Sequence, residues 1–414
     1  LEFGRDCTRL PLKKSPTIVN GDALETDWQA VLAPERCSYV LGNPPFVGHH
    51  LQTPVQKEQL RRTYGPTAKA AGVMDYVTAW FIKAARYIQQ TDTRCGFVAT
   101  NSISQGEQVG ILWRALAPYG LTINFAHRTF KWESEARGKA AVYCVIIGFS
   151  KTPSPIKRLY EYKKVTSTPE MREVRFINAY LTEAPWVLVD NYSRNLSGLP
   201  EMMYGSKPTD GGHFILSHAE RELLLSREPK AEKFIRRFIS AREYFQNDHR
   251  WVVWLVDAEP QEIRALPYIQ KIVKSVKKFR SESKAASTRE YPFHHLFRQV
   301  TQPKSDYILV PRVSSERREY IPFGFFSKED IVSDTCLAIP NATIAEFGLL
   351  QSKMHMAWVN SVCGRLEARY RYSKDIVYNT FPLPKGDLSK LAPLAQAVLD
   401  ARAAHPGATL ADLY

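Results

Sequence analysis

The chain has 414 residues, of which 44% are hydrophobic and 12% aromatic, and its formal net charge is +14 at pH 7. This length predicts two or three domains that bury their own cores, so no disulfide-stapled scaffold is needed. The basic surplus favours polyanionic partners, nucleic acid first. Six scattered cysteines without C-x-x-C spacing, and no apolar run of transmembrane length, indicate reduced thiols, no metal site and no membrane span. We therefore expect a cytoplasmic protein.

The first 150 residues alternate between strand-like and helix-like segments. The predicted elements are, in order, strands at 17–20 and 38–41, helices at 55–64 and 73–88, a strand at 95–100, a helix at 108–116, and strands at 121–127 and 141–149. Alternation of this kind favours an α/β layered sheet. The last two segments are expected to form an antiparallel pair that closes the sheet.

A polar, proline-broken stretch at 150–155 predicts a domain boundary. The remaining chain mixes helices with short aromatic strands. We divide the sequence into a catalytic domain (1–150), a linker (151–198), a mixed α+β domain (199–385) and a C-terminal helical segment (386–414). A lysine-rich helix predicted at 261–287 could track phosphates or form an ordinary solvated face.

Gly42-Asn43-Pro44-Pro45-Phe46 follows the second strand, where open α/β sheets form their ligand crevice. An exocyclic amine such as adenine N6 has two N–H donors and a lone pair delocalised into its ring. The Asn43 side-chain oxygen and the Pro44 carbonyl could accept both hydrogens, and the two prolines stiffen the loop. Phe46 offers a flat face for a base lifted out of a duplex. An ordinary Asn-Pro-Pro turn is the structural alternative.

The Asn-Pro-Pro-Phe tetrad resembles the catalytic motif of S-adenosylmethionine-dependent DNA methyltransferases that methylate amino groups. The resemblance extends to MmeI-like enzymes, type II restriction–modification fusions that carry nuclease, methylase and specificity region in one polypeptide. Segments similar to their methylase part are 42–48, 74–77, 97–106, 128–132 and 144–149. Segments similar to their target-recognition region are 364–373 and 376–382. These matches span essentially the whole chain in the family's order.

The resemblance implies a fold and an activity. The expected fold is a partial Rossmann-like class I methyltransferase sheet followed by a mixed α+β target-recognition domain. The implied activity is methyl transfer to N6 of a flipped adenine in a specific double-stranded DNA sequence, with Asn43, Pro44, Pro45 and Phe46 as catalytic residues. A nuclease domain could belong to the same parent polypeptide. The alternatives are a non-enzymatic DNA-binding remnant, and a methyltransferase acting on protein or RNA amides.

Only one of the family's cofactor-binding motifs has a counterpart in this sequence. Asn20-Gly21-Asp22-Ala23-Leu24 resembles the family's third cofactor motif, in which an Asp accepts a hydrogen bond from the cofactor adenine, so Asp22 and Ala23 are the cofactor candidates. An ordinary Gly-Asp turn is the alternative. No glycine-rich loop or ribose-binding acidic residue precedes Asn43. We therefore expect the front of the cofactor domain to be missing and the isolated chain to be inactive.

Several further residues are candidates. By resemblance, Phe130 and Trp132 could sandwich the base opposite Phe46, or they could pack in the core. Asp75 precedes a helix and could orient the site, although capping is the interpretation we favour.

The C-terminal part carries the candidates for reading DNA. Arg365, Glu367, Arg369 and Arg371 alternate along the chain and would share one face of an extended segment. Arginine suits guanine O6 and N7, and glutamate suits cytosine N4, but a solvent-facing ion-paired stripe is the alternative. Arg312 and Asp334 lie in segments that also resemble the recognition region.

Overall fold

The structure is a computed structural model that describes residues 16–132 and 142–414, with no side-chain description for residues 67–70. The described chain divides into two compact units. The first unit comprises the residues up to Ser104 and Gln108–Val187, and the second comprises Gln105–Glu107 and Leu188–Tyr414. The first unit thus extends well past the boundary that we expected at 150–155.

A six-stranded mixed sheet organises the first unit. Its strands are β1 Tyr39–Gly42, β2 Arg94–Thr100, β3 Thr122–Trp132, β4 Val142–Ser150, β5 Lys157–Glu161 and β6 Glu170–Val174. The strand order is β1-β2-β4-β3-β5-β6, with β1 parallel to β2 and β3 parallel to β5. The predicted α/β sheet and the antiparallel β3–β4 pair are confirmed. The pair does not close the sheet, however, because β5 and β6, from the segment expected to be a linker, extend it.

Four α-helices accompany this sheet. They are α1 Trp28–Val31, α2 Pro54–Tyr64, α3 Thr78–Tyr87 and α4 Glu107–Leu116. Helix α2 begins with a capping box, in which Thr53 and Gln56 each accept a backbone N–H of the other. Helix α3 begins later than the predicted residue 73, because Gly65–Val73 forms a 3-10 helix and Met74 is extended. The predicted strand at 17–20 is not formed, and those residues are exposed.

The two faces of the sheet differ. On one face, the Phe81 ring of α3 packs against Phe97 of β2 and Phe149 of β4, with centroids 5.2 and 5.5 Å away. On the other face, the β1 side chains of Tyr39 and Leu41 are 63% and 76% exposed. The core of this unit therefore lies between the sheet and α3, a geometry that leaves the carboxyl end of β1 accessible.

The second unit contains three smaller sheets. Its strands are β7 Met203–Tyr204, β8 Ile215–Leu216, β9 Ile235–Ile239, β10 Arg250–Val253, β11 Tyr307–Pro311, β12 Val313–Ser314, β13 Gly324–Phe326, β14 Ile331–Val332, β15 Cys336–Pro340, β16 Gly364–Leu366 and β17 Arg369–Arg371. The sheet orders are β14-β9-β10-β8, β13-β11-β15-β7 and β12-β17-β16. This mixture of short strands and helices agrees with the predicted α+β architecture.

The helices of the second unit surround these sheets. They are α5 His218–Arg227, α6 Ala241–Gln246, α7 Pro260–Arg264, α8 Pro267–Ser281, α9 Ala286–Arg289, α10 Ile344–Leu350, α11 Lys353–Val362, α12 Ala392–Ala403 and α13 Leu410–Leu413. The helix predicted at 261–287 is split into three, and Pro267 starts the central one, since proline fits the first turn. One core joins Ile269 and Val276 of α8 to Phe238 of β9. Within the described ranges, no helix has the length and apolar character needed to cross a bilayer.

Candidate functional site

The Asn-Pro-Pro-Phe loop leaves the sheet at the end of β1. Asn43 and Pro45 are exposed, Pro44 is buried, and Phe46 is half-buried. Among the described hydrogen bonds, none uses the Asn43 amide or the Pro44 carbonyl. Their role as acceptors of an exocyclic amine stays a prediction.

The segment after Phe46 is anchored from behind. The Val47 carbonyl accepts the Tyr76 N–H at 3.0 Å and the Gln52 side-chain Nε2 at 3.2 Å. The same Gln52 nitrogen donates to the Met74 carbonyl at 2.8 Å. Gln52 is buried, so these bonds form away from bulk water, where an unpaired carbonyl would be costly. They fix the loop against the segment that leads into α3.

Asp75 is the centre of a buried polar cluster. Its carboxylate accepts hydrogen bonds from Thr100 Oγ1 at 2.7 Å, from Ser102 Oγ, and from Gln108 Nε2 at 3.2 Å. The Gln108 side-chain oxygen in turn accepts the Asp75 N–H. Helix α3 has no side-chain cap, so our interpretation of Asp75 as a helix cap is wrong. The carboxylate is instead bound by the last residue of β2 and by two residues that come later in the chain, which ties the two chain segments behind the loop together.

The Asp22 loop is held by several side chains. Asp22 Oδ1 accepts the Leu24 N–H at 2.9 Å, and Oδ2 accepts Gln59 Nε2 of α2 at 2.7 Å. These bonds, first from Leu24 and then from Gln59, hold the pKa of the Asp22 carboxyl below its ordinary value. Lys83 of α3 donates to the carbonyls of Leu24 and Thr26 at 2.7 and 2.5 Å. Burial lowers the pKa of this lysine.

One cleft of about 750 Å³ brings the two motifs together. It is lined by Asp22 and Ala23 from one loop and by Asn43, Pro44 and Pro45 from the other. Aromatic side chains complete the walls, namely Trp28, Tyr76, Trp80 and Phe97. Its size is that of a small-molecule site, and apolar walls with a few polar groups are typical of such sites. A carboxylate acceptor beside aromatic faces fits an adenine-bearing ligand.

Phe130 and Trp132 are in ring contact, but none of the described ring contacts joins Phe46 to either of them. The Phe130 ring stacks on Tyr162 at 5.4 Å and lies 6.2 Å from Trp132, whose side chain is 45% exposed. His127 joins this group, with its Nδ1 2.8 Å from the Tyr162 hydroxyl. Phe130 thus packs within an aromatic cluster on β3 and its neighbours, and its role as a base platform stays a prediction.

The recognition candidates near residue 370 form a hairpin, and our expectation that all four share one face is wrong. Glu367 lies in the turn at φ 60°, between β16 and β17. Arg365 is paired across the strands with Tyr370 and stacks on its ring at 3.8 Å, so these two side chains share a face. Arg369 and Arg371 flank Tyr370 and point to the opposite, exposed face.

Glu367 is nevertheless close to Arg369. Its carboxylate lies 3.0 Å from the Arg369 guanidinium. Both side chains are exposed, so the ion pair contributes little to stability. Whether either side chain contacts a base stays a prediction.

Arg312 and Asp334 lie next to each other at the end of β11. The Arg312 guanidinium donates to the Asp334 carbonyl at 2.9 Å and lies over the Tyr204 ring. Both residues are half-buried. Within the described ranges, no cluster of histidine, cysteine, aspartate or glutamate has the arrangement of a metal site.

The chain is similar to known proteins over most of its length. Two family models match in sequence order: "MmeI, DNA-methyltransferase domain" over residues 2–161 and "MmeI, target recognition domain" over residues 183–385. A solved structure of the type IIL restriction-modification enzyme MmeI in complex with DNA superposes with a TM-score of 0.91 and 45% identity, covering 100% of this chain.

The chain belongs to the MmeI family. A curated relative, DNA methyltransferase A of Bacillus subtilis (strain 168), is 34% identical over 411 residues, or 98% of this chain. The chain spans about half the length of these relatives, 46% of the B. subtilis protein and 56% of the MmeI chain. The family boundaries agree with the two units, because the MmeI recognition model begins close to the end of the first unit.

The residues that hold the motifs of this MmeI-family chain were not predicted. Gln52, Gln59 and Lys83 secure the two loops, yet each reads in the sequence as an ordinary polar residue of a solvated helix or turn. Gln59 and Lys83 interrupt the apolar pattern of their helices. In the structure Gln59 is buried and Lys83 is half-buried. A polar residue on the otherwise apolar side of a predicted helix is the signal that could have identified them.

Proposed function

We propose that this chain carries the catalytic loop and the target-recognition region of an S-adenosylmethionine-dependent DNA methyltransferase that modifies adenine N6. The observation that supports this most is the shared cleft. Asp22 and Asn43 line one aromatic-walled space, and the acceptors of Asn43 and Pro44 have no partner among the described hydrogen bonds.

The proposed chemistry depends on positioning and electrostatics. The bound methyl donor supplies an electrophilic methyl group. The Asn43 side-chain oxygen and the Pro44 carbonyl would accept the two N6 hydrogens and draw the nitrogen towards a tetrahedral, nucleophilic form. The N6–methyl bond would form as the methyl–sulfur bond of the sulfonium breaks, with S-adenosylhomocysteine as the leaving group, and one N6 hydrogen would then leave as a proton to solvent. Because both acceptors are fixed before the reaction, little reorganisation is required in the transition state.

The remaining residues would bind rather than react. Asp22, with Ala23 beside it, would accept a hydrogen bond from the donor's adenine, since each carboxylate oxygen retains a free lone pair. Phe46, together with Phe130 and Trp132, would stack on the extruded base. Pro45 would keep the loop rigid.

The second unit would select the DNA sequence. We assign base or backbone contacts to Arg312, Asp334, Arg365, Glu367, Arg369 and Arg371. Exposed arginines on a hairpin suit a DNA groove, and the net charge of +14 favours DNA over a protein substrate. The match to a target recognition domain also argues against a protein amide as the acceptor.

The wider context belongs to the proposal as well. We infer a role in a restriction–modification system of the cytoplasm, with a nuclease domain possible in the same polypeptide. The glycine-rich cofactor loop is absent from these 414 residues. We therefore propose that the isolated chain is inactive and that activity belongs to a polypeptide of the relatives' length.

The test is Asn43→Ala in the full-length protein. The substitution removes an acceptor that matters mainly in the transition state, so single-turnover methylation should slow by about 10²–10³-fold. DNA affinity should change little, because this interaction contributes little to binding in the ground state. Rates are measured with tritiated methyl donor on DNA containing the mapped site.

Gln90→Ala is the matched control, since Gln90 is an exposed amide of the same unit outside the cleft. The control should methylate at the wild-type rate. Methylation by Asn43→Ala at the rate of this control would refute the assignment of Asn43. Identification of the product as N6-methyladenine by mass spectrometry tests the adenine assignment separately.

A further inference from the structure

We propose that Gln59 is the positioning residue that sets the orientation of Asp22 towards the methyl donor. The inference rests on the proposed function and deepens it. Gln59 lies on α2, distant in sequence from both motifs, and is 6% exposed. It does not line the donor cleft, so it would act through Asp22 rather than on the ligand.

The hydrogen bonds leave the Gln59 amide a single orientation. Its Nε2 faces Asp22 Oδ2 at 2.7 Å and Glu25 Oε1 at 3.1 Å. Ionised carboxylates only accept, so this atom must be the NH₂ group. The opposite atom, Oε1, then accepts the Tyr76 hydroxyl at 2.5 Å. One amide therefore donates hydrogen bonds to two neighbouring carboxylates. Its oxygen also orients the hydroxyl of Tyr76, a residue that lines the cleft.

Asp22 depends on this amide for its geometry. Its other oxygen is bound by the Leu24 N–H of its own turn, which leaves the carboxylate free to swing about that contact. Without the Gln59 donor, Asp22 and Glu25 would face each other with no hydrogen between them. Like charges at that spacing repel, so the Asp22 carboxylate would turn away from the cleft.

Charged or titratable groups from each neighbouring element lie near Gln59. The carboxylates are those of Asp22, Glu25 and Asp27 from the loop, the cations are Arg62 of α2 and Lys83 and Arg86 of α3, and the remaining group is the Tyr76 hydroxyl. Arg62 pairs with Glu25 at 2.8 Å, and Lys83 is engaged with backbone carbonyls. Neither cation bonds to Asp22, so neither substitutes for the Gln59 donor.

The decisive variant is Gln59→Glu in the full-length protein. It keeps the shape of the side chain and replaces the amide hydrogen-bond donor with a titratable carboxyl group. A carboxyl buried beside two carboxylates has a raised pKa. Below that pKa the introduced group is neutral and its O–H can donate to Asp22. Above that pKa, a third negative charge stands where the hydrogen-bond donor was. The affinity of this variant for the methyl donor should therefore be lost as the pH rises.

The measurement is calorimetry with S-adenosylhomocysteine at pH 5.5 and pH 8. Wild-type affinity should differ little between these values, because Asp22 stays ionised at both. Gln59→Glu should bind about tenfold more weakly at pH 8, as expected for loss of one hydrogen bond to a charged group, and should recover towards wild type at pH 5.5. A variant that binds like wild type at both values, or equally weakly at both, would overturn the proposal.

Two further variants secure the interpretation. Gln59→Met removes the donor without adding charge, so it should bind about tenfold more weakly at either pH. This variant decides the question if Gln59→Glu does not fold. Gln90→Glu adds the same charge at an exposed position and should match wild type. DNA affinity should stay unchanged in all variants, and a parallel loss of DNA binding would mean general misfolding and overturn the proposal.

The test also separates this inference from the proposed function. If the wild-type protein bound no donor analogue, both would fail. If wild type bound the analogue and Gln59→Met bound equally well, only the role of Gln59 would be lost.

Discussion

Arg280 is a fully buried arginine with no carboxylate partner among its described contacts, and its replacement should destabilise the second unit. Its guanidinium donates to four backbone carbonyls, those of Pro208, Thr209, Phe293 and Leu296, at 2.8 to 3.1 Å. Arg280 lies within the lysine-rich helix predicted at 261–287, for which a phosphate track or a solvated face was expected. The structure places it inside, where it joins α8 to two loops.

The magnitude follows from two opposing contributions. Hydrogen bonds from a charged donor contribute about 1.5–3 kcal/mol each, so four would contribute roughly 6–12 kcal/mol. Burying the charge costs several kcal/mol, and this burial also lowers the pKa of the guanidinium. Arg280→Met, which fills similar space but leaves four buried carbonyls unpaired, should therefore cost about 3–5 kcal/mol. Arg280→Lys should lie between, since an ammonium has only three donors.

The assay is urea unfolding combined with hydrogen exchange, because a chain of two units need not unfold in one step. Peptides covering residues 206–216 and 290–300 should lose protection in Arg280→Met, whereas peptides from the first unit should not. Arg264→Met, at an exposed position of the same unit, is the control and should behave as wild type. If Arg280→Met were as stable as wild type, burial of the charge would offset all four bonds and the reasoning would be refuted.

Two other predictions concern the second unit. Exchanging Glu367 and Arg369 together should change the base accepted at one position of the target without changing which adenine is methylated, with about 1–3 kcal/mol of discrimination at stake; long-read mapping of methylated sites in expressing cells checks this, and an unchanged motif would place both residues outside base contact. His355 is buried and hydrogen-bonded to the Tyr372 hydroxyl, and burial lowers its pKa to about 3. The unfolded state therefore takes up a proton below about pH 6.5 that the folded state does not. The free energy of unfolding should decrease as the pH is lowered, by about 2 kcal/mol between pH 7 and pH 5. His355→Phe should lose this part of the acid sensitivity in urea unfolding at the two pH values, and an equal acid response in both proteins would contradict it.

The sequence predicted the parts of the site that are local. Asn43, Pro44 and Pro45 follow a strand, and a rigid turn at the carboxyl end of β1 follows from proline geometry alone. The turn at Asp22 is likewise local, since its carboxylate binds the N–H two residues later. In the structure these two turns line one cleft.

What could not be predicted depends on contacts between distant segments. The hairpin at Glu367 turns through a positive φ, a backbone state that a non-glycine residue adopts only when its surroundings require it. An alternating pattern gave no sign of that turn, so Arg365 was placed on the wrong face. β5 and β6 were expected to be linker because their lysines and glutamates mask the strand pattern at the edge of the sheet.

The predicted rigidity of the Asn-Pro-Pro-Phe loop has its main cause outside the loop. Prolines fix φ, but ψ at Asn43 and the path after Phe46 remain free unless other groups hold them. In this fold Gln52 and the Tyr76 N–H both bind the Val47 carbonyl, and Tyr76 adjoins Asp75, whose carboxylate is bound by hydroxyl groups at the end of β2 and just after it. A buried carboxylate with several donors is expensive to disrupt, because any broken bond leaves a desolvated charge. The Asn43 amide and the Pro44 carbonyl are thus held in place by hydrogen bonds among residues behind the loop, and their fixed position is a property of the whole first unit rather than of four residues.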